Sequence, residues 1–169
     1  LGGMDVLVNN SGITLTEPFD SVTPQQFDEI YNVNIRAMFF LTQKLAGALE
    51  RDGGGYVINI TSIHAYSAMP EHAVYAGTKG AIVAYTRTLA LELANRKIRV
   101  NAIAPGLIVT DFAKALWEDE KRRKEREAQT PLRRLGVPRD IGGIAVFLAS
   151  EAAAFITGQV IVADGGVTV

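Results

Sequence analysis

The sequence of 169 residues is 48% hydrophobic and has a formal net charge of −1, which suits one domain with a substantial core and offers no basic surface to nucleic acid or an acidic membrane. The absence of cysteine excludes disulfides and thiolate metal sites, and two histidines leave little material for a zinc site, so we expect no metal. Because no apolar run approaches the length of a membrane span, we expect no membrane partner and a soluble, cytoplasmic protein.

Apolar strands alternate with helices along the chain. Strands are predicted at residues 4–8, 56–60, 99–104 and 159–163. Helices are predicted from Pro24, after the N-cap Thr23, to Glu50, from Ala73 to about Lys97, and at residues 138–150. This alternation predicts an α/β fold built on a doubly wound parallel sheet with right-handed crossovers.

Every residue from 118 to 127 is charged. Three acid-before-base pairs at four-residue spacing are predicted here: Glu118 with Arg122, Asp119 with Arg123, and Glu120 with Lys124. The segment is typical of a solvated helix. Its position after the loop that follows the third strand also allows it to be a movable lid.

Three side chains, Ser62, Tyr75 and Lys79, are candidates for one active site. Tyr75 and Lys79 share a helix face, and Ser62 stands at the carboxyl end of the preceding strand, where open α/β sheets bind ligands. A phenol titrates near 10, and an ammonium about 4 Å away contributes roughly 4 kcal/mol at an effective dielectric of about 20. We therefore expect Lys79 to lower the pKa of Tyr75, which could then act as an acid or base. The alternative is an ordinary surface pair.

The two histidines, His64 and His72, lie in the loop between that strand and that helix. They could form polar walls of a pocket, and a plain loop role is the alternative. Ser62 lies in no Gly-x-Ser-x-Gly elbow and has no obvious histidine base, which argues against nucleophilic serine chemistry.

Six motifs in order resemble the short-chain dehydrogenase/reductase family over essentially the whole chain. They are Asn9-Asn10-Ser11-Gly12, similar to the family's Asn-Asn-Ala-Gly; Asn34 in Asn-Val-Asn-Ile; Ser62, which precedes Tyr75 by 13 residues; Tyr75-Ala-Gly-Thr-Lys79, the Tyr-x-x-x-Lys signature; Arg99 through Pro105-Gly106 to Thr110; and Thr157-Gly158-Gln159 through Asp164-Gly165-Gly166. One such motif is weak evidence, whereas six at the right separations leave little room for coincidence.

The resemblance implies a Rossmann-like domain that transfers a hydride between NAD or NADP and a secondary alcohol or ketone. Tyr75 would be the general acid/base, Lys79 would lower its pKa and bind the nicotinamide ribose, and Ser62 would hold the reacting oxygen. Asn34 would keep a water in a proton relay to Lys79, with a satisfied buried amide as the alternative. The implied cofactor contacts are Asn10, Ser11, Gly12, Tyr75, Lys79, Pro105, Gly106, Ile108 and Thr110. The expected substrate contacts are Ser62, His64, His72 and Leu107.

The family's Gly-x-x-x-Gly-x-Gly turn and its first three strands are absent from this sequence. We expect residues 1–169 to be the carboxyl-terminal two-thirds of one domain, with residues 107–134 as a loop or lid on the substrate side. The alternative is an inactive fragment, or a non-catalytic member that acts as an oligomeric scaffold.

Two kinds of small-molecule substrate stay open. The run from Pro105 to Asp111 resembles 3-oxoacyl-acyl-carrier-protein reductases, whereas the run from Met69 to Tyr75 and the Ala-Asp-Gly-Gly ending resemble glucose or gluconate dehydrogenases. The resemblance also implies a homodimer or homotetramer with a four-helix interface, formed by the helices that start near Thr23 and Ala73.

Overall fold

The residues that the structure describes form a sheet of four parallel strands. A computed structural model describes residues 2–51 and 53–169. The strands are β1 (Val6–Asn9), β2 (Gly55–Ile60), β3 (Ile98–Pro105) and β4 (Val160–Ala163), side by side in that order. The four predicted strands are confirmed, with ends within two residues of those expected. Because the strands are parallel, their carboxyl ends meet at one edge of the sheet.

Six α-helices connect and cover these strands in the described part of the chain. They are α1 (Pro24–Tyr31), α2 (Ala37–Glu50), α3 (Ala73–Glu92), α4 (Lys114–Trp117), α5 (Glu120–Gln129) and α6 (Pro138–Leu148). Short 3-10 turns lie at Phe19–Ser21, Ile63–Ala65, Ala94–Arg96, Asp111–Ala113 and Glu151–Ala153. None of the helices in the described ranges is long and apolar enough to cross a membrane.

The helix predicted from Pro24 to Glu50 is continuous but contains one π turn that the sequence did not indicate. The N-cap Thr23 forms the expected capping box with Gln26, whose backbone N–H donates to Thr23 Oγ1 at 3.3 Å. The π turn, Asn32–Arg36, lies between α1 and α2 and carries Asn34. Such turns are rare and often lie at functional sites.

The end of α3 differs from the prediction. The helix ends at Glu92 rather than near Lys97, and the 3-10 turn Ala94–Arg96 follows it. Lys97 has a φ of 58°, and Ile98 then enters β3 with its side chain buried. Helical periodicity cannot locate this reversal, because burial of Ile98 in the sheet decides it.

Helices cover both faces of the sheet, as a doubly wound arrangement requires. On one face Leu7, Val57 and Val100 pack against residues of α2 and α3. On the other face Ile58 and Ile103 pack against Leu148 of α6. Neighbouring positions along a strand point to opposite faces, which explains why both faces are apolar.

One part of the sheet has no cover within the described residues. The side chains of Val6 and Val8 on β1 are 37% and 46% exposed, although Leu7 between them is buried. β1 is an edge strand of this sheet, paired only with β2 among the described residues. An apolar edge strand of this kind is open to pairing with a further strand.

Residues 107–134 leave the sheet after β3 and carry α4 and α5. Two hydrogen bonds close the base of this segment: Gly136 N–H donates to Leu107 O at 3.1 Å, and Val109 N–H donates to Gly136 O at 2.9 Å. Trp117 Nε1 donates to Thr110 O at 2.9 Å. The segment is therefore a folded excursion with a fixed base.

Of the three ion pairs predicted in the charged helix, only Glu120 with Lys124 forms, at 2.7 Å. Asp119 accepts a hydrogen bond from the backbone N–H of Arg122 at 2.8 Å, because its carboxylate caps the start of α5. Glu118 pairs with Lys114 of α4 at 3.4 Å instead. The other two predictions were wrong because the helix begins at Glu120, inside the charged run.

Candidate functional site

Ser62, Tyr75 and Lys79 come together at the carboxyl end of β2. Ser62 follows this strand directly, and the first turns of α3 carry Tyr75 and Lys79. The Ser62 side chain is close enough to the Tyr75 hydroxyl to lower its pKa. Lys79 Nζ lies 5.5 Å from the centroid of the Tyr75 ring and donates to Ile60 O at 3.1 Å. The predicted convergence of the three side chains is therefore present in the structure.

Burial dominates the electrostatics of this group. The Lys79 residue is only 6% exposed, and burial lowers the pKa of its ammonium to about 8. No carboxylate among the described residues forms an ion pair with it. Burial raises the pKa of Tyr75, and the nearby Ser62 side chain acts in the opposite direction. The expectation that Lys79 brings the pKa of Tyr75 below its ordinary value is thus wrong for this state.

The Ser62 hydroxyl has a defined orientation. Ser62 is the N-cap of the 3-10 turn Ile63–Ala65, and its Oγ accepts a hydrogen bond from the His64 backbone N–H at 3.2 Å. With one lone pair engaged there, the hydroxyl proton and the remaining lone pair are left for Tyr75 and for a ligand oxygen. The turn therefore positions the serine without using its proton.

Asn34 holds the loop after β1 beside the same site. It is 1% exposed; its Nδ2 donates to Ile13 O at 2.9 Å and to Thr78 Oγ1 at 3.1 Å. Its Oδ1 accepts from the Ile13 N–H at 2.8 Å. These contacts match a satisfied buried amide. Both Nδ2 donors and one of the two Oδ1 lone pairs are engaged in this way, and a role of Asn34 in a proton relay stays a prediction.

Gly12 faces both Asn34 and Lys79. A Cβ at this position would lie 3.3 Å from Asn34 Oδ1 and 3.6 Å from Lys79 Nζ. The preceding Asn10 and Ser11 are exposed. The lack of a side chain at Gly12 leaves open the space in front of the ammonium.

The remaining expected cofactor contacts lie at the end of β3. Pro105 is the last residue of that strand, and Gly106 N–H donates to Ala163 O at 3.0 Å. Ile108 forms a bridge with Gly136, and Thr110 is half-buried at the start of the excursion. These positions share the strand edge with the Ser62–Tyr75–Lys79 group, and their contacts with a cofactor stay predictions.

The expected substrate residues divide into two groups. His64 and His72 flank Tyr75, with ring centroids 6.1 Å and 6.3 Å from its own. Leu107 is half-buried at the base of the excursion, where its carbonyl accepts from Gly136. The histidines thus belong to the immediate surroundings of the candidate acid/base, as the pocket-wall interpretation requires.

Sequence reasoning missed the residues that support this site from behind. Thr78 is fully buried, accepts from Asn34, and donates to Tyr75 O at 2.7 Å. Asn9 Nδ2 donates to Asn59 Oδ1 at 2.8 Å, which links β1 and β2 beneath the site. The position of Thr78 inside the Tyr-x-x-x-Lys motif could have drawn attention to it, whereas nothing in the sequence pairs Asn9 with Asn59.

Comparisons with known proteins agree with this geometry. A family model described as Enoyl-(Acyl carrier protein) reductase matches residues 1–168. Human Dehydrogenase/reductase SDR family member 4 is 40% identical over 169 residues, which cover 98% of this chain and 60% of that protein. The chain therefore spans about three-fifths of the length of this relative.

Two solved structures are also similar. Gluconate 5-dehydrogenase from Burkholderia cenocepacia, in complex with NADP and tartrate, has a TM-score of 0.94 and 36% identity, covering 99% of this chain and 66% of that one. A 4-hydroxyisoleucine dehydrogenase in complex with NADH has a TM-score of 0.91 and 32% identity, covering 97% of this chain and 68% of that one. Together with the site and the match over residues 1–168, these likenesses show that the chain belongs to the short-chain dehydrogenase/reductase family.

Proposed function

We propose that this protein is an NAD(P)-dependent oxidoreductase that interconverts a secondary alcohol and a ketone. The observation that carries the proposal is the Ser62–Tyr75 hydroxyl pair beside the buried ammonium of Lys79. A scaffold protein would require none of these side chains. The cofactors printed for the two similar structures, NADP and NADH, support the same class of reaction.

The residues around Lys79 fit a cofactor that brings hydroxyl groups. An ammonium has three N–H donors, and Ile60 O is the one acceptor that a described residue offers to it. Gly12 keeps the space in front of this ammonium free of a side chain. The ribose hydroxyls of a nicotinamide cofactor supply acceptor oxygens of the kind that a buried cation without a carboxylate partner needs.

In the direction of reduction, the substrate carbonyl oxygen accepts hydrogen bonds from Ser62 and Tyr75. Because burial raises the pKa of Tyr75, the phenol is neutral at pH 7 and has a proton to give. Its O–H bond breaks as the carbinol O–H bond forms, and the ammonium of Lys79 stabilises the phenolate that remains. A nicotinamide cofactor, when bound, would supply the hydride to the carbonyl carbon in this direction and accept it in the reverse one.

Replacing Tyr75 by phenylalanine tests this mechanism, because it removes the proton donor and leaves the ring. We expect kcat to fall by about 100-fold or more, with the affinity for NADH or NADPH nearly unchanged. Consumption of the reduced cofactor with a panel of ketones gives kcat, and quenching of its fluorescence gives the affinity.

Tyr85→Phe is the matched control, since this second tyrosine of α3 packs near Ile82, away from the Ser62 hydroxyl. It should keep near-parental turnover. Near-parental kcat in Tyr75→Phe, or no cofactor-dependent turnover by the parental full-length protein, would contradict the proposal. The second result would favour the scaffold or inactive-fragment alternative.

We also propose that the protein assembles as a homodimer or homotetramer. Large apolar side chains on α2 and α3 are exposed to solvent in the single chain, namely those of Phe40, Leu41 and Leu91, the last of them 81% exposed. Apolar side chains of this size favour burial against another copy. Sedimentation of the full-length protein that shows a monomer at micromolar concentration would refute this assembly.

A further inference from the structure

Both histidines of the chain stand around the candidate proton donor. The His64 and His72 ring centroids are 5.7 Å apart, and each ring meets the Tyr75 ring edge-on. His72 is buried, whereas His64 is half-buried. The wall next to the reacting oxygen is therefore made of imidazole rings, which contribute polar atoms as well as apolar surface.

The hydrogen bonds fix the tautomer of each ring. Nδ1 of His64 lies 3.2 Å from Ser67 O, and Nδ1 of His72 lies 2.8 Å from Pro70 O. A carbonyl oxygen only accepts, so each Nδ1 must carry the proton. In a neutral imidazole of this tautomer, Nε2 is an acceptor.

The two Nε2 atoms differ in their partners. Nε2 of His72 is engaged with Thr16 Oγ1 at 3.2 Å, which ties together the loops after β1 and β2. Nε2 of His64 has no hydrogen-bond partner among the described residues. His64 thus has an unused acceptor in the same short turn that orients the Ser62 hydroxyl.

We propose that His64 Nε2 accepts a hydrogen bond from a substrate hydroxyl on the carbon next to the reacting carbonyl. The preferred substrates are then α-hydroxy ketones and the corresponding vicinal diols, including sugar-type polyols, rather than simple acyl chains. An alkyl chain at this position would cover the nitrogen and give it no donor, whereas a hydroxyl provides one. This inference rests on the proposed function, since it specifies the substrate of the same site.

Acetoin and butan-2-one form a matched pair of probes, because they differ only in the hydroxyl beside the carbonyl. One hydrogen bond to a neutral acceptor corresponds to roughly a fivefold effect. We therefore expect the full-length protein, with NADH or NADPH, to reduce acetoin with a kcat/KM at least about fivefold above that for butan-2-one.

His64→Leu should bring the ratio of kcat/KM for acetoin to that for butan-2-one close to one, whatever its effect on the two values separately. His64→Gln, which places an amide oxygen near the position of Nε2, should restore part of the ratio. A residue with a merely structural role would change both substrates alike, so the ratio isolates the proposed contact.

The imidazole ¹⁵N signals provide a readout that is independent of turnover. The Nε2 signal of His64 is the one that disappears in His64→Leu, which assigns it. Saturating acetoin should shift this signal and leave the signals of His72 in place. An unshifted His64 signal would overturn the inference.

The outcomes separate the two proposals. If the parental protein reduces ketones without regard to the neighbouring hydroxyl, or if His64→Leu keeps the parental ratio, this inference fails and the proposed function stands. If the parental protein reduces no carbonyl compound in a broad panel, the proposed function fails and this inference fails with it.

Discussion

Replacing Lys79 by methionine should make the protein more stable while removing its activity. Burial lowers the pKa of Lys79 from 10.5 to about 8, a difference of about 3 kcal/mol at roughly 1.36 kcal/mol per pKa unit. At neutral pH this is the cost of keeping the ammonium charged in the folded protein. Methionine removes that cost with a similar unbranched side chain. Loss of the hydrogen bond to Ile60 O offsets about 1 kcal/mol, so we expect a net gain of about 2 kcal/mol.

The gain should depend on pH in a defined way. Below pH 8 Lys79 is protonated in both the folded and the unfolded parental protein, so the variant keeps its full advantage. Between pH 8 and 10.5 the folded state releases the proton and the unfolded state retains it, so the parental protein gains stability relative to the variant. Burial raises the pKa of Tyr75, and because this tyrosine is present in both proteins, its contribution to the difference largely cancels.

Thermal unfolding of the ligand-free, full-length proteins at several values between pH 7 and 9.5 measures this difference. We expect Tm of Lys79→Met to exceed the parental value by about 4–8 °C at pH 7, at roughly 2–4 °C per kcal/mol, and the gap to narrow at higher pH. Lys44→Met is the control, because this lysine is exposed on α2 and should change stability by less than about 0.5 kcal/mol. A variant no more stable than the parent at pH 7, or a gap that stays constant to pH 9.5, would refute the reasoning.

Two further predictions concern other positions. Gly12→Ala places a Cβ 3.3 Å from Asn34 Oδ1, so we expect about a tenfold loss of kcat/KM for the cofactor. Gly142→Ala is the control, because a Cβ at this position in the middle of α6 has no atom within 4 Å. It should keep activity and add roughly 0.5–1 kcal/mol of stability. Equal activity of the two variants would contradict the expected loss in Gly12→Ala. The hydrogen bond from Arg134 lowers the pKa of Asp140 to about 2, so its stabilising contribution is present above pH 4 and lost as pH falls toward 2. Asp140→Asn should therefore lower Tm at pH 7 but not at pH 2, and an effect of equal size at both values would contradict this.

The sequence by itself determined the fold class and identified Ser62, Tyr75 and Lys79 as residues of one candidate site. Alternating strands and helices predicted a parallel sheet, whose carboxyl ends must share one edge. Ser62 at such an end and Tyr75 and Lys79 one helical turn apart could then be expected to converge. These inferences hold because they depend on local periodicity and on chain order, and both can be read from neighbouring residues.

Only the tertiary structure decided the chemical state of the site. The pKa of Tyr75 depends on its burial as well as on the distance to Lys79, and burial is set by distant segments of the chain. For the same reason the sequence did not reveal that Asn34 clamps the loop at Ile13, or that Nε2 is engaged with Thr16 in His72 but has no partner among the described residues in His64. Desolvation and hydrogen-bond pairing arise from the packing of segments far apart in sequence, and no local pattern records them.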